Sequence, residues 1–466
     1  MTGESGTAVK RYIVLGVSTT ASFIMPFMVA AINIAIPTMR EEFSLEAWVT
    51  AWVGTIYFLA VAMVQVPCGR LADIYGRKKM FIIGLLVTIL ASFLGIFAHS
   101  VPLLFISLAL LGAGSGIMIN NAISILTSVF PADMRGRVLG INTAGTYIGL
   151  SVGPYIGGVL TGAFGWQSIF ILSAVLSAVL LALVFYALKG EWREAEGEQF
   201  DFIGSITYAV SIAVFIYGFS SLPEILGIIL VLVGIAGLVV FIRWESRTSS
   251  PVFDLSLFRH NKVFLFSNLA VLISYTATFA IGFLLSIYLQ EIRGQTPDQA
   301  GLILITASVL MACFTPISGR ISDKIEPRLV ASVGMSLNCV ALFILVFVNS
   351  TTPIWYIVIA LVVNGLGIGI FASPNMNAIM GSVSRKSLGV AAGTVGTMRT
   401  VGMMVSMGII MILFSLYIGD AEIIPEFYPE FLSSAKTGFI ILTVFSVLGL
   451  LAQLAARSAA KKLKSG

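Results

Sequence analysis

Charged side chains are scarce in this chain. They make up 11% of its 466 residues, against roughly 25% in soluble domains, while hydrophobic residues make up 58%. This composition excludes an ordinary soluble domain and predicts a protein that crosses the membrane many times. Its partners should then be the lipid bilayer and a small molecule rather than a nucleic acid.

Histidine and cysteine are also scarce. His99 and His260 fall in predicted loops, and Cys68, Cys313 and Cys339 lie in or beside apolar runs, where cysteine behaves as a small hydrophobe. This inventory provides neither a disulfide framework nor a metal cluster, and no catalytic triad can be assembled from two loop histidines. We therefore expect no enzyme activity, no cofactor and no metal.

Acidic side chains are missing from the predicted membrane spans. All 22 Asp and Glu fall in loops or at interfaces, so no carboxylate near the bilayer centre is available to carry a proton. One cation, Arg399, lies within a predicted span. An intramembrane charge costs ~3 kcal/mol or more and marks a functional site by default. The alternative is that Arg399 is a structural hydrogen-bond hub between helices.

Fourteen apolar segments long enough to cross a bilayer lie between Tyr12 and Ala456. The polar stretch Gly69 to Lys79, GRLADIYGRKK, separates Ala47–Pro67 from Lys79–Ala98 and predicts a tight turn at a membrane face. Its excess of cations places that face in the cytoplasm. With both termini there too, 23 of the 27 Lys and Arg fall inside and three outside, which indicates an even number of crossings.

The turn has internal features beyond its charge. Gly69 and Gly76 are expected to supply turn geometry, and Asp73 lies one helical turn from both Arg70 and Arg77. We therefore predict a packed hairpin that is held by ion pairs.

The chain also repeats itself. Gly69 to Asp73 returns about 250 positions later as Gly319 to Asp323, and Leu139-Gly140 returns as Leu388-Gly389. Repeats of the same orientation predict two bundles related by an axis along the membrane normal, with a path between them. The predicted domains are an N-terminal six-helix bundle (1–188), a linker with two inserted helices (189–262) and a C-terminal six-helix bundle (263–466).

The turn resembles the signature loop between helices 2 and 3 of the major facilitator superfamily, G-x-L-a-D-x-x-G-R-k. The matching residues are Gly69, Leu71, Ala72, Asp73, Gly76, Arg77 and Lys78. Asp201 and Tyr288-Leu289-Gln290 are similar to segments of its fourteen-helix drug/proton antiporter family. The resemblance implies an all-α polytopic membrane protein with the major facilitator fold, two six-helix bundles and two inserted helices.

Helix 5 carries a second family pattern. Gly149 to Gly158 reads G-x-x-x-G-P-x-x-G-G, which in this superfamily is associated with exporters. Its glycines allow close helix approach, and Pro154 removes one backbone hydrogen bond and bends the helix. The alternative for such glycines is ordinary small-residue packing.

Two positions depart from the family pattern. The Asp common in helix 1 is Met28 here, and the family's helix-4 Arg is Leu108. Both departures argue against conventional proton coupling and against the binding of cationic drugs.

Two sets of residues are therefore candidates. We predict that the substrate path is lined by polar side chains of both halves: Asn33, Tyr57, Gln65, Asn120, Asn121, Tyr147, Asn268, Tyr275, Asn364, Asn375 and Arg399, with Asn377 as a further amide. Any one of them could instead pair with a neighbouring helix. The predicted gating residues are Gly69, Asp73, Gly76, Arg77, Lys78, Arg135, Arg137, Gly149, Gly153, Pro154, Gly157, Gly158, Gly319, Arg320 and Asp323. We hypothesise that Asp73 pairs with Arg135 or Arg137 when the cytoplasmic side is shut.

These observations predict an inner-membrane secondary transporter that exports hydrophobic or amphipathic small molecules by alternating access. The absence of buried acids and the single buried Arg399 favour neutral or anionic substrates. Proton antiport is what the resemblance implies, and we expect a monomer. The alternatives are a facilitator or importer of an organic-anion metabolite, and a membrane sensor that uses the same fold without transport. A sensor would be expected to carry a soluble signalling domain.

Overall fold

The computed structural model describes residues 2–45, 47–188, 190–248, 250–253, 255–419 and 425–465. Within these ranges fourteen helices are long and apolar enough to cross a membrane, which confirms the predicted number. They are α1 (Arg11–Phe43), α2 (Trp52–Tyr75), α3 (Arg77–Ile96), α4 (Val101–Val129), α5 (Arg135–Phe164), α6 (Gln167–Tyr186), α7 (Phe202–Ser220), α8 (Ile225–Glu245), α9 (Lys262–Ile292), α10 (Gln299–Lys324), α11 (Pro327–Leu345), α12 (Ile354–Gly381), α13 (Arg385–Tyr417) and α14 (Tyr428–Ala460).

The helices form two six-helix bundles with an inserted pair. Helices α1 to α6 pack mainly on one another, helices α9 to α14 do the same, and α7 and α8 form a hairpin between the two sets. The predicted fold class is therefore confirmed. The exact domain boundaries at residues 188 and 262 remain a prediction.

The turn between α2 and α3 is shorter than predicted. Helix α2 continues to Tyr75, so Gly69 lies inside the helix and not in a turn. Only Gly76 leaves the helical path, with φ of 117°, a conformation that side chains with a Cβ resist. Gly69 serves close packing instead, because a Cβ there would collide with the carbonyl oxygen of Gly389 in α13. We call the side of the molecule that carries Gly76 the basic face.

The two bundles share a core at the basic face and separate towards the opposite face. Leu126 of α4 and Leu388 and Val390 of α13 belong to one apolar cluster. Towards the opposite face, Leu284, Phe439 and their neighbours form a second cluster that contains residues of α9 to α14 only. Among the described residues, the hydrogen bonds that join the two bundles directly all lie in the half nearer the basic face. The space between the bundles, here called the cleft, therefore opens towards the opposite face.

The inserted hairpin covers one of the two seams between the bundles. The Tyr208 hydroxyl of α7 donates to the carbonyl oxygen of Ala62 in α2 at 3.1 Å and lies 2.8 Å from the Thr397 hydroxyl oxygen in α13. The rings of Trp52 and Tyr217 add a second contact between α2 and α7, with centroids 4.8 Å apart. Helix α7 thus contacts both bundles where α2 meets α13.

The glycine pattern of α5 brings this helix against α1. A Cβ at Gly149, Gly153 or Gly157 would lie 2.5 to 2.8 Å from backbone atoms of Phe23, Phe27 or Ala31, which is too close for real atoms. Gly158 differs, because its Cβ would meet only Ile34, at 3.7 Å. Three of the four glycines therefore make the close approach that the sequence predicts.

This packing predicts opposite effects for the same substitution at two positions of α5. Gly157→Ala would place a methyl group 2.6 Å from the Ala31 Cα, and overpacking of this kind costs about 1–3 kcal/mol. Gly162→Ala meets nothing within 4 Å and should be neutral or stabilising, because alanine favours a helix over glycine. Thermal unfolding of both variants in the same detergent measures the difference. Equal melting temperatures would contradict the close α1–α5 contact.

Candidate functional site

Aromatic and cationic side chains from both bundles meet in the cleft. The Arg399 guanidinium of α13 lies within electrostatic range of the phenols of Tyr57 in α2 and Tyr147 in α5. The Tyr275 hydroxyl of α9 faces that of Tyr147, and Ser115 of α4 adjoins that of Tyr57. The spacing of these residues in the sequence gives no sign of this cluster, because they come from five different helices. We call these five residues the central cluster.

Arg399 has no counterion among the residues that the structure describes. It is partly exposed, and it makes no hydrogen bond or ion pair with any residue that the structure describes. The Tyr147 hydroxyl faces that of Tyr275 but makes no hydrogen bond with a described residue, although the Tyr147 residue is only 5% exposed. These unpaired groups oppose the alternative that Arg399 is a structural hub, because a hub would be saturated by its neighbours.

The other predicted path residues are distributed differently. Asn33 is exposed at the end of α1 away from the basic face. Gln65 is fully buried where α2 meets Gly393 and Gly396 of α13. Gln65 therefore lies in the closed half of the molecule, away from the open part of the cleft. Neither end of its amide has a hydrogen-bond partner among the described residues.

The remaining amides each make one hydrogen bond through their N–H groups, within their own helix or to a neighbouring one. Each donates to a nearby acceptor: Asn120 to the Gln65 carbonyl, Asn121 to Ile117, Asn268 to Phe264, Asn375 to Ser267, Asn377 to Ser322 and Asn364 to Asn338. The Oδ1 atoms of Asn120, Asn121, Asn268 and Asn375 have no hydrogen-bond partner among the described residues, so a path lined by the whole set stays a prediction. Arg399, Tyr57, Tyr147 and Tyr275 are the members that come together.

The basic face is shut by a carboxylate that caps a helix of the other bundle. Asp73 of α2 has a fully buried side chain and accepts hydrogen bonds from the backbone N–H groups of Gly389 at 2.9 Å and Val390 at 3.2 Å. The α-helical part of α13 begins at Leu388, so the carboxylate lies at a helix N-terminus, where unpaired N–H groups and the helix dipole favour negative charge. Arg77 completes the arrangement with an ion pair to Asp73 at 2.7 Å.

A matching cap lies across the other seam. Asp323 of α10 accepts hydrogen bonds from the backbone N–H groups of Gly136 at 2.6 Å and Arg137 at 2.8 Å, in the first turn of α5. Gly319, one turn before Asp323, packs on Gly136 just as Gly69 packs on Gly389. We call the two caps, each with its glycine contact, the basic-face gate.

The gate corrects two of the sequence expectations. Asp73 does not pair with Arg135 or Arg137, because its partners are Arg77 and the first turn of α13, and the first turn of α5 binds Asp323 instead. Gly136, and not Gly140, is also the counterpart of Gly389. Gly136 and Gly140 in α5, like Gly389 and Gly393 in α13, lie four residues apart, so a sequence comparison can slide by one helical turn.

An acidic segment that the sequence reasoning missed crosses the same face. Residues 190–200, here the acidic strap, follow α6 and lie over the α2–α3 turn. Glu191 accepts hydrogen bonds from the backbone N–H groups of Lys78 and Lys79 in the first turn of α3, at 2.8 and 3.1 Å. The sequence feature that could have revealed this segment is its series of glutamates, which complements the many cations of the same face.

The strap also reaches the second bundle. Glu198 pairs with Arg70 of α2 at 2.5 Å and with Lys386 of α13 at 3.8 Å, and Glu194 lies 3.9 Å from Arg385. The expected pairing of Arg70 with Asp73 is therefore replaced by one with Glu198. Arg320, a predicted gating residue, is exposed and makes no hydrogen bond or ion pair with a described residue.

The described residues contain no group of three or more His, Cys, Asp or Glu side chains that could hold a metal ion. The candidate site comprises the central cluster, the cleft above it and the basic-face gate below it.

Comparisons with known proteins agree with this architecture. Residues 19–266 and 267–465 match the sequence model of the Major Facilitator Superfamily. The chain is 26% identical over 393 residues to the riboflavin transporter RibZ of Clostridioides difficile, covering 84% of this chain and 85% of that protein. It is 28% identical over 396 residues to the multidrug resistance protein Stp of Mycobacterium tuberculosis, covering 83% and 73%.

A solved structure has the same fold. The human organic anion transporter MFSD10 (TETRAN) matches with a TM-score of 0.71 over 95% of this chain and 99% of that one, at 13% sequence identity. At this identity the likeness concerns the fold alone.

The gate predicts that loss of either capping charge opens the basic face. Asp73→Asn and Asp323→Asn each keep the side-chain shape but weaken the hydrogen bonds to a helix N-terminus, by about 1–2 kcal/mol. Spin labels at Lys79→Cys and Lys324→Cys, both exposed on the basic face, should then report a longer distance population in a cysteine-free background. Asp133→Asn, an exposed carboxylate in the loop before α5, is the control. Distances unchanged by all three substitutions would refute the gate.

Proposed function

Because the chain belongs to the major facilitator superfamily, we propose that it exports hydrophobic or amphipathic small molecules across the cell membrane by alternating access. Its family and its relatives are transporters, not enzymes. The observation that carries the proposal is the cleft, which is shut at the basic face, open at the other, and has a polar cluster from both bundles at its base.

The orientation follows from charge. The cations of the α2–α3 turn support a basic face, and with it both chain termini, on the cytoplasmic side. The conformation is then outward-open. The alternative state would close the cleft at the outer face and break both caps, so that substrate could enter from the cytoplasm.

The gate suits such a cycle because it consists of several hydrogen bonds, which hold only over a short distance. Each cap joins one carboxylate to two backbone N–H groups, and a movement of one or two ångströms would release all of them together. The glycine contacts beside the caps keep the two bundles close only while the face is shut. The protein would therefore switch between two packed states, and intermediate conformations would be sparsely populated.

Export and proton antiport are proposed from family likeness. The helix-5 pattern is associated with exporters, and Stp is named for multidrug resistance. The chain is proposed to act as a monomer that exchanges its substrate for a proton or another ion. The second candidate is import or facilitated passage of an organic-anion metabolite, which the Arg399 side chain favours because it is unpaired among the described residues.

A vesicle assay separates these functions. Everted vesicles that contain the chain receive an acid interior, while valinomycin and equal potassium hold the membrane potential at zero. Exchange for one proton would accumulate a substrate about tenfold per pH unit, since each unit is worth 1.36 kcal/mol. The probes are anionic 2-naphthalenesulfonate, neutral riboflavin and cationic ethidium. We expect at least one of them to accumulate, and nigericin should abolish the accumulation.

Two glycine variants provide the control for alternation. Gly69→Leu would prevent closure of the basic face, because its side chain meets the Gly389 backbone, and should abolish accumulation. Gly162→Leu, on an open surface, should retain it. Equilibration of a probe without accumulation would favour the facilitator, and no passage of any probe would contradict transport of these classes of compound.

A further inference from the structure

The central cluster contains more hydrogen-bond donors than acceptors. The Arg399 guanidinium has five N–H groups and accepts nothing, and none of them is used by a described residue. The buried Tyr147 hydroxyl, only 5% of whose residue is exposed, is also unpartnered there. Unsatisfied donors at the base of an open cleft require an acceptor from elsewhere.

The charges around the cluster specify what that acceptor should be. No described carboxylate pairs with Arg399; Asp73 and Asp323 are occupied at the basic-face gate. A cationic ligand would meet a positive guanidinium and find no counterion. An anionic oxygen could instead accept from Arg399 and from the Tyr147 hydroxyl, and charge-assisted bonds of this kind are the strong ones.

The surrounding tyrosines define the rest of the ligand. Tyr57 and Tyr147 approach from one bundle, and Tyr275 approaches from the other. Their rings offer flat apolar surface beside the charge, which suits an aromatic body attached to an anionic group.

We propose that the central cluster binds aromatic organic anions, with the anionic group on Arg399 and Tyr147. This inference deepens the proposed transport function by naming its substrate class and depends on that function only for the passage step. Arg399 is the charge-selecting residue, and Tyr147 supplies a second donor to the same group.

The unpaired charge has a consequence for the transport cycle. When the cleft closes, water that hydrates Arg399 must leave, and a guanidinium without a counterion is costly in a poorly hydrated protein interior. A bound anion neutralises it. The loaded protein should therefore change conformation faster than the empty one, so that exchange of anion for anion outpaces net flux.

A matched series of ligands tests the binding site. The probes 2-naphthalenesulfonate, 2-naphthalenesulfonamide and 2-naphthylmethylammonium share one ring and carry negative, zero and positive charge. A ligand that binds the folded state raises its melting temperature, so calorimetric titration and thermal shift in detergent should both favour the sulfonate. We expect about tenfold or greater preference for sulfonate over sulfonamide, as for one hydrogen bond to a charged group.

Four variants assign that preference to named groups. Arg399→Gln should reduce the ratio of sulfonate to sulfonamide affinity to about one, while Arg399→Lys keeps the charge and should retain part of it. Tyr147→Phe removes one donor and should lower sulfonate affinity about tenfold with the sulfonamide little changed. Arg243→Gln removes an exposed cation of α8 and should change neither value.

A flux measurement then tests the consequence for the cycle. In proteoliposomes, external unlabelled sulfonate should accelerate the release of labelled internal sulfonate several-fold, and Arg399→Gln should lose this acceleration. Tighter binding of the ammonium compound, or a charge preference that survives in Arg399→Gln and Tyr147→Phe, would overturn the proposal even if transport is found. Sulfonate binding at Arg399 without passage of any probe would uphold the site and refute the transport function.

Discussion

The closed state of this protein depends on carboxylates that cap helices of the opposite bundle. Asp73 and Asp323 each accept two backbone N–H groups from a first helical turn across a seam. Such groups have no partner within their own helix, so each bundle supplies what the other lacks. Because glycine contacts lie beside both caps, the helices approach closely enough for these bonds to form. The glycine contacts and the carboxylate caps therefore act together, and a change in either should open the basic face.

The two ends of the molecule then differ for a physical reason. The basic face has caps, glycine contacts, the acidic strap and a shared apolar core, whereas the opposite end has a separate core in the second bundle. The inserted hairpin adds Tyr208 to one seam, where it touches α2 and α13 together. Among the described residues, the hydrogen bonds that join the bundles directly therefore gather at the basic face, and the central cluster lies beyond them. We propose that an anionic substrate supplies the counterion that Arg399 lacks among those residues.

Sequence reasoning was most accurate where a pattern is local. The number of spans follows from runs of apolar residues of sufficient length, and the close approach of another helix to α5 follows from small residues four positions apart, because helix geometry places these on one face. Arg399 was identifiable as well, since any charge within a span is conspicuous. The extent of α2 was misjudged because a polar segment beyond the bilayer can remain helical, and charge alone does not end a helix.

Tertiary structure decided which distant groups meet. The sequence by itself determined a fourteen-helix membrane protein with two similar halves, a basic face and one cation within a predicted span, because these properties depend only on composition and on short spacings. It did not determine that Asp73 caps α13, that Asp323 caps α5, or that Tyr57, Tyr147 and Tyr275 gather around Arg399. Those pairings join residues tens to hundreds of positions apart, and they exist because packed helices fix which faces approach one another. Polar side chains in a membrane take the nearest partner, and only the packed arrangement specifies which partner is nearest.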